Sequence, residues 1–234
     1  YNLRKGTPEY ISAKEWYLNT FGGCEVESAI IPDREEPQKR MARMEIPLDL
    51  NIGKLARLMK ETGVKAGTLF TSAFGYALSR FTGEQEVLFS TIWHGRGDKR
   101  MARTTGMFVK TLPVHCKFED GTTLSQMFNA TGAMISGARE NSLFSYADLH
   151  SSMSLKSNYL FVYQGYLFNN LNIGGYPVSS ECLEENSTHE QISIQVYQNH
   201  DKSYKAVVEF HSNLYSPELI TSLIKSYTAI LNGM

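Results

Sequence analysis

Between residues 67 and 83 the apolar residues Leu69, Phe70, Ala73, Phe74, Ala77, Leu78 and Phe81 recur three and four positions apart. At 3.6 residues per turn they form a broad, continuous stripe, too wide for a helix lying on a surface. The spacing predicts a central buried helix, closed by Gly83, around which the rest of the chain must fold. Residues 87–92 follow at once as a short apolar run that reads as a strand. A helix feeding straight into an apolar strand calls for a sheet with helices packed on it.

The flanking segments fit that frame. Thr7-Pro8-Glu9 is a helix start, with a capping Thr and Pro at the first helical position. This helix runs through Trp16 to Thr20 and stops at Gly22-Gly23. Residues 31–37 are a polar, proline-bounded connector. Residues 43–47 alternate and read as a strand. Asp49 is the expected cap of a helix that carries Ile52, Leu55, Leu58 and Met59 on one face and ends at Gly63. A loop rich in Gly and basic residues spans 94–105, and residues 107–116 read as another strand. Thr123 starts a helix bearing Leu124, Met127, Phe128 and Ile135. Residues 159–163 form a buried strand. Residues 192–196 and 206–210 alternate around a turn at 199–203, which is a hairpin. Ser216-Pro217-Glu218 opens the last helix. Residues 165–190 carry Asn, Gly and Ser with little periodicity, and a stretch of this kind has a job or is disordered. The order implies an α+β fold: a mixed sheet with helices packed on one face.

Charge excludes some partners. Lys plus Arg is 23 and Asp plus Glu is 24, a net charge of −1. Such a chain has no electrostatic case for nucleic acid or for an anionic membrane. No apolar run approaches the roughly 18–20 residues that cross a bilayer. The start, YNLRKGTPEY, has neither the apolar stretch nor the cleavage site of a signal peptide. Cys24, Cys116 and Cys182 are odd in number, widely spaced and free of CxxC, which fits reduced thiols in the cytoplasm. The sequons at Asn129 and Asn186 read as chance.

Candidate chemistry is sparse. His94 and Asp98 have the HxxxD spacing of some acyltransferases, in which His is the base. Two residue types at one spacing arise often by chance, and their setting is that of a surface loop. Gly95-Arg96-Gly97 lacks the GxxxxGKS/T frame and the following helix of a nucleotide cradle, and contact with a phosphopantetheine arm is the milder reading. His94, His115, His150, His189, His200 and His211 make no i, i+4 pair, so a metal site is not expected. No GxSxG elbow exists. Tyr166, Phe168 and Tyr176 are aromatic yet sit in the aperiodic stretch, as if that stretch packs on another surface.

These pieces, in order, resemble a family. Residues 16–37 resemble the linker helix and "LPxDRPRP" stretch of the condensation domains of nonribosomal peptide synthetases. Residues 64–96 resemble the helix, strand and "GR" loop that follow. Gly106-Met107-Phe108-Val109-Lys110-Thr111-Leu112-Pro113 is similar to the family's "GxFVNTLPL", the most specific match. NSLFSYADL at 141–149 faintly resembles "HQDYPFEKL", and NYLFVYQG resembles "LFQVMFVLQN".

The resemblance implies a chloramphenicol-acetyltransferase-like lobe. Two such lobes surround a tunnel in which carrier-bound thioesters are joined by an amide bond. The family's HHxxxDG is absent here and belongs to the first lobe, expected upstream of Tyr1. Residues 1–40 are then a linker helix and connector, and 41–234 a sheet-and-helix lobe. Residues 165–190, with Tyr166, Phe168 and Tyr176, would be a latch onto the first lobe. Gly95 and Arg96 would belong to the tunnel floor, and Phe108 and Thr111 to a tunnel strand. No catalytic residue is expected in the chain itself. Partners would be carrier proteins, which bring phosphopantetheine, and the N-terminal lobe. Lys110 stands where the family usually has Asn, and Tyr146-Ala147-Asp148 departs from "HQDYPFEKL". The "PxxGxGYG" of epimerization domains is absent around residues 134–148. A non-catalytic carrier-binding scaffold and a self-contained HxxxD acyltransferase are the alternatives.

Overall fold

A computed structural model describes residues 4–24, 29–97, 101, 103–166, 172–177 and 190–234. The elements in chain order are α1 (Pro8–Phe21), β1 (Met41–Leu48), α2 (Ile52–Thr62), α3 (Ala66–Thr82), β2 (Glu86–Trp93), β3 (Lys110–Lys117) and α4 (Leu124–Glu140). There follow α5 (Tyr146–Met153), β4 (Tyr159–Gly165), β5 (Asn172–Ile173), β6 (Tyr176–Pro177), β7 (Ile192–Gln198), β8 (Tyr204–His211) and α6 (Pro217–Gly233).

The main sheet has six strands in the order β1-β8-β7-β4-β2-β3. β4 runs parallel to both β2 and β7, and the other neighbours are antiparallel. Parallel neighbours need a crossover. The first crossover holds α4 and α5, and the second is the stretch after β4. The fold is therefore α+β with a mixed sheet, as its sequence pattern implies.

The broad stripe of α3 is buried as expected. Leu69, Ala73, Ala77 and Leu78 are fully enclosed between the sheet, α4 and α6. Phe74 stacks on Phe161 of β4 at 4.6 Å between ring centroids and meets Phe89 of β2 edge-on at 5.1 Å. The Tyr227 hydroxyl on α6 donates to the Phe70 carbonyl at 3.2 Å, so this buried polar group is satisfied.

The connector at 31–37 is tied down although its side chains are exposed. The Ser216 amide donates to Asp33 at 2.8 Å, and the Ser216 hydroxyl donates to the same carboxylate. The amides of Arg34 and Glu36 donate to the carbonyls of Leu214 and Asn213, both at 3.1 Å. These bonds fix the connector over the turn from β8 into α6.

The structure corrects several expectations. Asn51, not Asp49, caps α2, its side chain accepting from the Lys54 amide at 3.0 Å. Asp49 gives its carbonyl instead to Asn232 of α6, at 2.8 Å. The strand expected over 107–116 begins only at Lys110. Among the described residues no strand pairs with 107–109, and Met107 is 88% exposed. α5 was not expected; Ser145 and Asp148 form a capping box at its start.

The helices do not all lie over one face. A second apolar cluster joins Tyr17 and Phe21 of α1, Ala138 of α4, Leu149 of α5, Leu88 and Leu112. By register Leu88 lies opposite His115 and Leu112 opposite Thr91, so the two leucines serve opposite faces. The cluster therefore wraps the sheet edge at β3. The Tyr17 hydroxyl, which donates to the Ala138 carbonyl at 3.1 Å, locks α1 to α4 there.

Candidate functional site

The β2–β3 ladder ends at the pair Trp93 and Lys110, so residues 94–109 are a hairpin connection far longer than a tight turn. Connections longer than about 12–15 residues in a compact domain usually have a job or are disordered. This one folds back on itself. Gly95 has φ +70°, and a Cβ there would lie 1.8 Å from the Phe108 carbonyl oxygen. The two arms of the loop meet backbone to backbone, and only glycine suits both the left-handed conformation and the gap.

Arg96 holds the arms together. Its Nη1 donates to the carbonyls of Met101 at 2.5 Å and Thr104 at 2.7 Å, and its Nη2 to Gly106 at 3.2 Å. The guanidinium lies 4.5 Å from the centroid of the Phe108 ring. The planar fork of arginine suits this mixture of several acceptors and an aromatic face. Arg96 is thus an internal staple of the loop. Gly95, Arg96 and Phe108 come together as one unit, while Thr111 sits on β3 opposite Ile92. Phe108 lies in the loop rather than on a strand.

His94 is held by the same turn. The Arg96 amide donates to His94 Nδ1 at 2.9 Å. A neutral imidazole whose Nδ1 accepts carries its hydrogen on Nε2, which leaves no basic nitrogen for a substrate. Asp98, the other half of the HxxxD spacing, lies outside the described residues.

Beside the loop is a cleft of about 710 Å³. Arg4, Trp93, His94, Lys110, Arg139 and Ser142 are among the residues that line it. Half-buried Lys110 donates from Nζ to the Ser142 carbonyl at 2.6 Å and to its hydroxyl oxygen at 3.3 Å. Burial, and then the positive charge of Arg4, hold its pKa below the ordinary lysine value. Sequence reasoning noted Lys110 only as a departure from a motif. Arg4, Arg139 and Ser142 were missed, because no local pattern links positions so far apart in the chain.

A second cavity, of about 570 Å³, lies at the opposite end of the β2–β3 hairpin, with Tyr76, Phe118, Met127 and Ile230 in its wall. It shares no lining residue with the cleft.

The stretch after β4 is not wholly irregular. β5 and β6 form a two-stranded ribbon apart from the main sheet. Tyr166 is 48% exposed, and Tyr176 on the ribbon is 77% exposed. Phe168 lies outside the described residues. Among the described residues no three His, Cys, Asp or Glu side chains gather as a metal site. Among them, too, no helix is long and apolar enough to cross a membrane. Burial pushes the Cys116 thiol up to about 12, against a weaker opposing hydrogen bond from Thr131, so it is no nucleophile.

Known proteins share this architecture. The X-domain from teicoplanin biosynthesis superposes with a TM-score of 0.80 at 14% identity, over 99% of this chain and 56% of that one. The first condensation domain of the calcium-dependent antibiotic synthetase, in complex with a substrate analogue, gives 0.76 at 14% identity, over 99% and 54%. The chain therefore spans little more than half of these solved chains. In sequence, a plipastatin synthase of Bacillus subtilis is 21% identical over 96% of this chain and 9% of its own length. Tyrocidine synthase 2 of Brevibacillus parabrevis is 22% identical over 97% and 7%. The family model described as "Condensation domain" matches residues 4–234. The chain belongs to the condensation-domain family of nonribosomal peptide synthetases.

Proposed function

We propose that this chain is the C-terminal half of a condensation domain, and that it forms amide bonds only when joined to an N-terminal lobe that carries the base. Residues 1–40 are the linker helix and connector, 41–234 the lobe, and 165–190 the latch that crosses to the first lobe. The observation that carries this reading is the match in extent. Nearly all of this chain aligns to little more than half of each solved relative. Two features of the site support it. His94, the one imidazole in the loop, has its Nδ1 occupied by a backbone amide. Met107, Val109, Tyr166 and Tyr176 leave apolar surface exposed for a second lobe to cover.

In this reading the lobe positions substrates and does not move protons. The stapled loop of Gly95, Arg96 and Phe108 is the floor of a tunnel, and Thr111 lies on its wall. Carrier proteins in the cytoplasm bring the two acyl groups on phosphopantetheine arms. The amine of one attacks the thioester of the other, an amide bond forms, and the thiol leaves.

The test supplies loaded carrier proteins to this chain alone and to this chain with an N-terminal lobe carrying HHxxxDG. Amide product is expected only from the pair. Product from the chain alone overturns the proposal. A second reading, a non-catalytic carrier-protein-binding scaffold, is supported by the likeness to the X-domain, which has been solved in a complex with OxyB. Loss of product from the pair, with carrier binding kept, would select that reading.

A further inference from the structure

We infer that the cavity of about 570 Å³ at the far end of the β2–β3 hairpin is a binding site for a small organic cation with an aromatic body, an arylalkyl amine being the simplest example. The site shares no lining residue with the cleft beside the 94–109 loop, and it does not rest on the function proposed above.

Enclosure is the first ground. The cavity lies where α3 ends, α4 begins and α6 ends, and the turn after β3 closes it. Its volume falls within the range of small-molecule sites. Met127 is buried in its wall, and Tyr76, Phe118 and Ile230 are half-buried there. Apolar side chains that line a hollow and stay partly wet gain from the entry of an apolar group. The rings of Tyr76 and Phe118 meet edge-on, at 5.3 Å between centroids. Two rings in one wall favour an aromatic body, and aromatic faces also attract a cation.

Charge supplies the second. Three carboxylates, Glu84, Glu119 and Asp120, line the cavity against one cation, Arg80. The whole chain carries only −1, so this excess is local. Glu119 pairs with Lys117 at 3.4 Å, and Lys117 is shared with Glu86 at 3.3 Å. Among the described residues the carboxylates of Glu84 and Asp120 have no ion-pair partner. Unpaired like charges around a half-enclosed space repel one another, and an entering cation relieves that repulsion.

The backbone supplies the third. Gly83, which caps the end of α3, and Gly233, in the last turn of α6, both line the cavity. The last carbonyls of a helix lack intrahelical partners and carry partial negative charge. α4 presents its opposite end, but there Thr123 and Gln126 form a capping box that occupies the exposed amides. Two helix ends and two unpaired carboxylates therefore agree in sign. Glu84 also springs from a held backbone. The Ser79 hydroxyl donates to its carbonyl at 2.5 Å, and its amide donates to the Thr82 hydroxyl oxygen at 3.3 Å. An acidic turn that is only solvated surface predicts neither saturable binding nor a preference for cations, and the experiment separates the two.

The 234-residue chain is titrated by calorimetry with tryptamine, with the neutral 3-methylindole and with the anionic indole-3-propionate, at low and at moderate salt. Tryptamine is expected to bind saturably, at least about ten-fold more tightly than indole-3-propionate, and more weakly as salt rises. The double variant Glu84→Gln, Asp120→Asn is expected to weaken tryptamine by about five-fold or more and to leave 3-methylindole unchanged. Both side chains are exposed, so the variant keeps the fold. Glu218→Gln, at the opposite end of α6, is expected to bind tryptamine as the parent does. No saturable tryptamine binding, or equal binding of tryptamine and indole-3-propionate, overturns the site. So does unchanged tryptamine binding in the double variant, or an equal loss in Glu218→Gln.

Discussion

Replacing Gly95 by alanine attacks the stapled loop at its tightest point. The perturbation has two parts. An L-residue held in the left-handed region costs about 1–2 kcal/mol. The new Cβ would also lie 1.8 Å from the Phe108 carbonyl oxygen, where at least 3.0 Å is required, so the two arms must part by more than 1 Å. That movement pulls on the Arg96 fork, whose three carbonyl partners all lie on the far arm. Losing one or two of these part-exposed bonds costs about 1–2 kcal/mol more. The total is about 2–4 kcal/mol.

The loop can open without unfolding the core, so part of this cost appears as local opening. Two assays separate the shares. Thermal melting is expected to show a drop of about 4–16 °C if the whole cost is global, given about 2–4 °C per kcal/mol for a domain of this size. Hydrogen exchange is expected to rise in residues 94–109 and to stay unchanged in β7 and β8. Gly97→Ala is the internal control. Gly97 has no positive φ, and its new Cβ would meet only the Trp93 ring, at 3.2 Å. It is expected to cost under about 1 kcal/mol. Parent-like melting and exchange in Gly95→Ala, or equal effects in the two variants, would refute the reasoning.

Other expectations follow from single contacts. Phe74→Ala empties the site between Phe89, Phe161 and Tyr227 and is expected to lower urea stability by about 3–5 kcal/mol; a loss below about 1 kcal/mol would mean that α3 is not the core. A thiol reagent under native conditions is expected to label Cys24, which is partly exposed, and to spare Cys116, whose thiol is buried and pushed up to about 12; rapid Cys116 labelling would contradict the packing. For Asp33, the slight desolvation at this exposed site disfavours the charge, but the hydroxyl and amide of Ser216, with the Arg34 charge, outweigh it and hold the carboxyl below its ordinary value. A depressed carboxyl stabilises the fold above its unfolded pKa and loses that contribution as pH falls through the folded value. Asp33→Asn is therefore expected to flatten the stability profile below about pH 4, and parallel profiles for parent and variant would remove Asp33 from the acid response.

Much of the fold was legible because local signals and burial agree. The stripe of α3 needs neighbours on several sides, and the structure supplies them. Thr7, Thr123 and Ser216 cap helices where Ser or Thr precedes a periodic run, since each side chain reaches an otherwise unpaired amide. The errors have physical causes too. Asp49 and Asn51 can both cap a helix, and what decides between them is the bond from Asn232 of α6 to the Asp49 carbonyl. Met107 and Val109 alternate like a strand, but a strand requires a neighbour, and the ladder with β2 stops at Lys110. α5 is a single short helix whose apolar residues are too few for periodicity to reveal.

The sequence by itself determined the class of the fold, the order of most elements and the family resemblance. Each of these rests on residues close together in the chain, where side-chain spacing and backbone preference act directly. Only the tertiary structure decided that Arg96 staples its own loop, that His94 is tied to a backbone amide, and that Lys110, Arg4 and Arg139 share one cleft. The first two depend on how an aperiodic loop turns back on itself, and the third on contacts between distant segments. A charge has the same letter in the sequence whether it is solvated alone or crowded among its like, and only folding sets the distance between them.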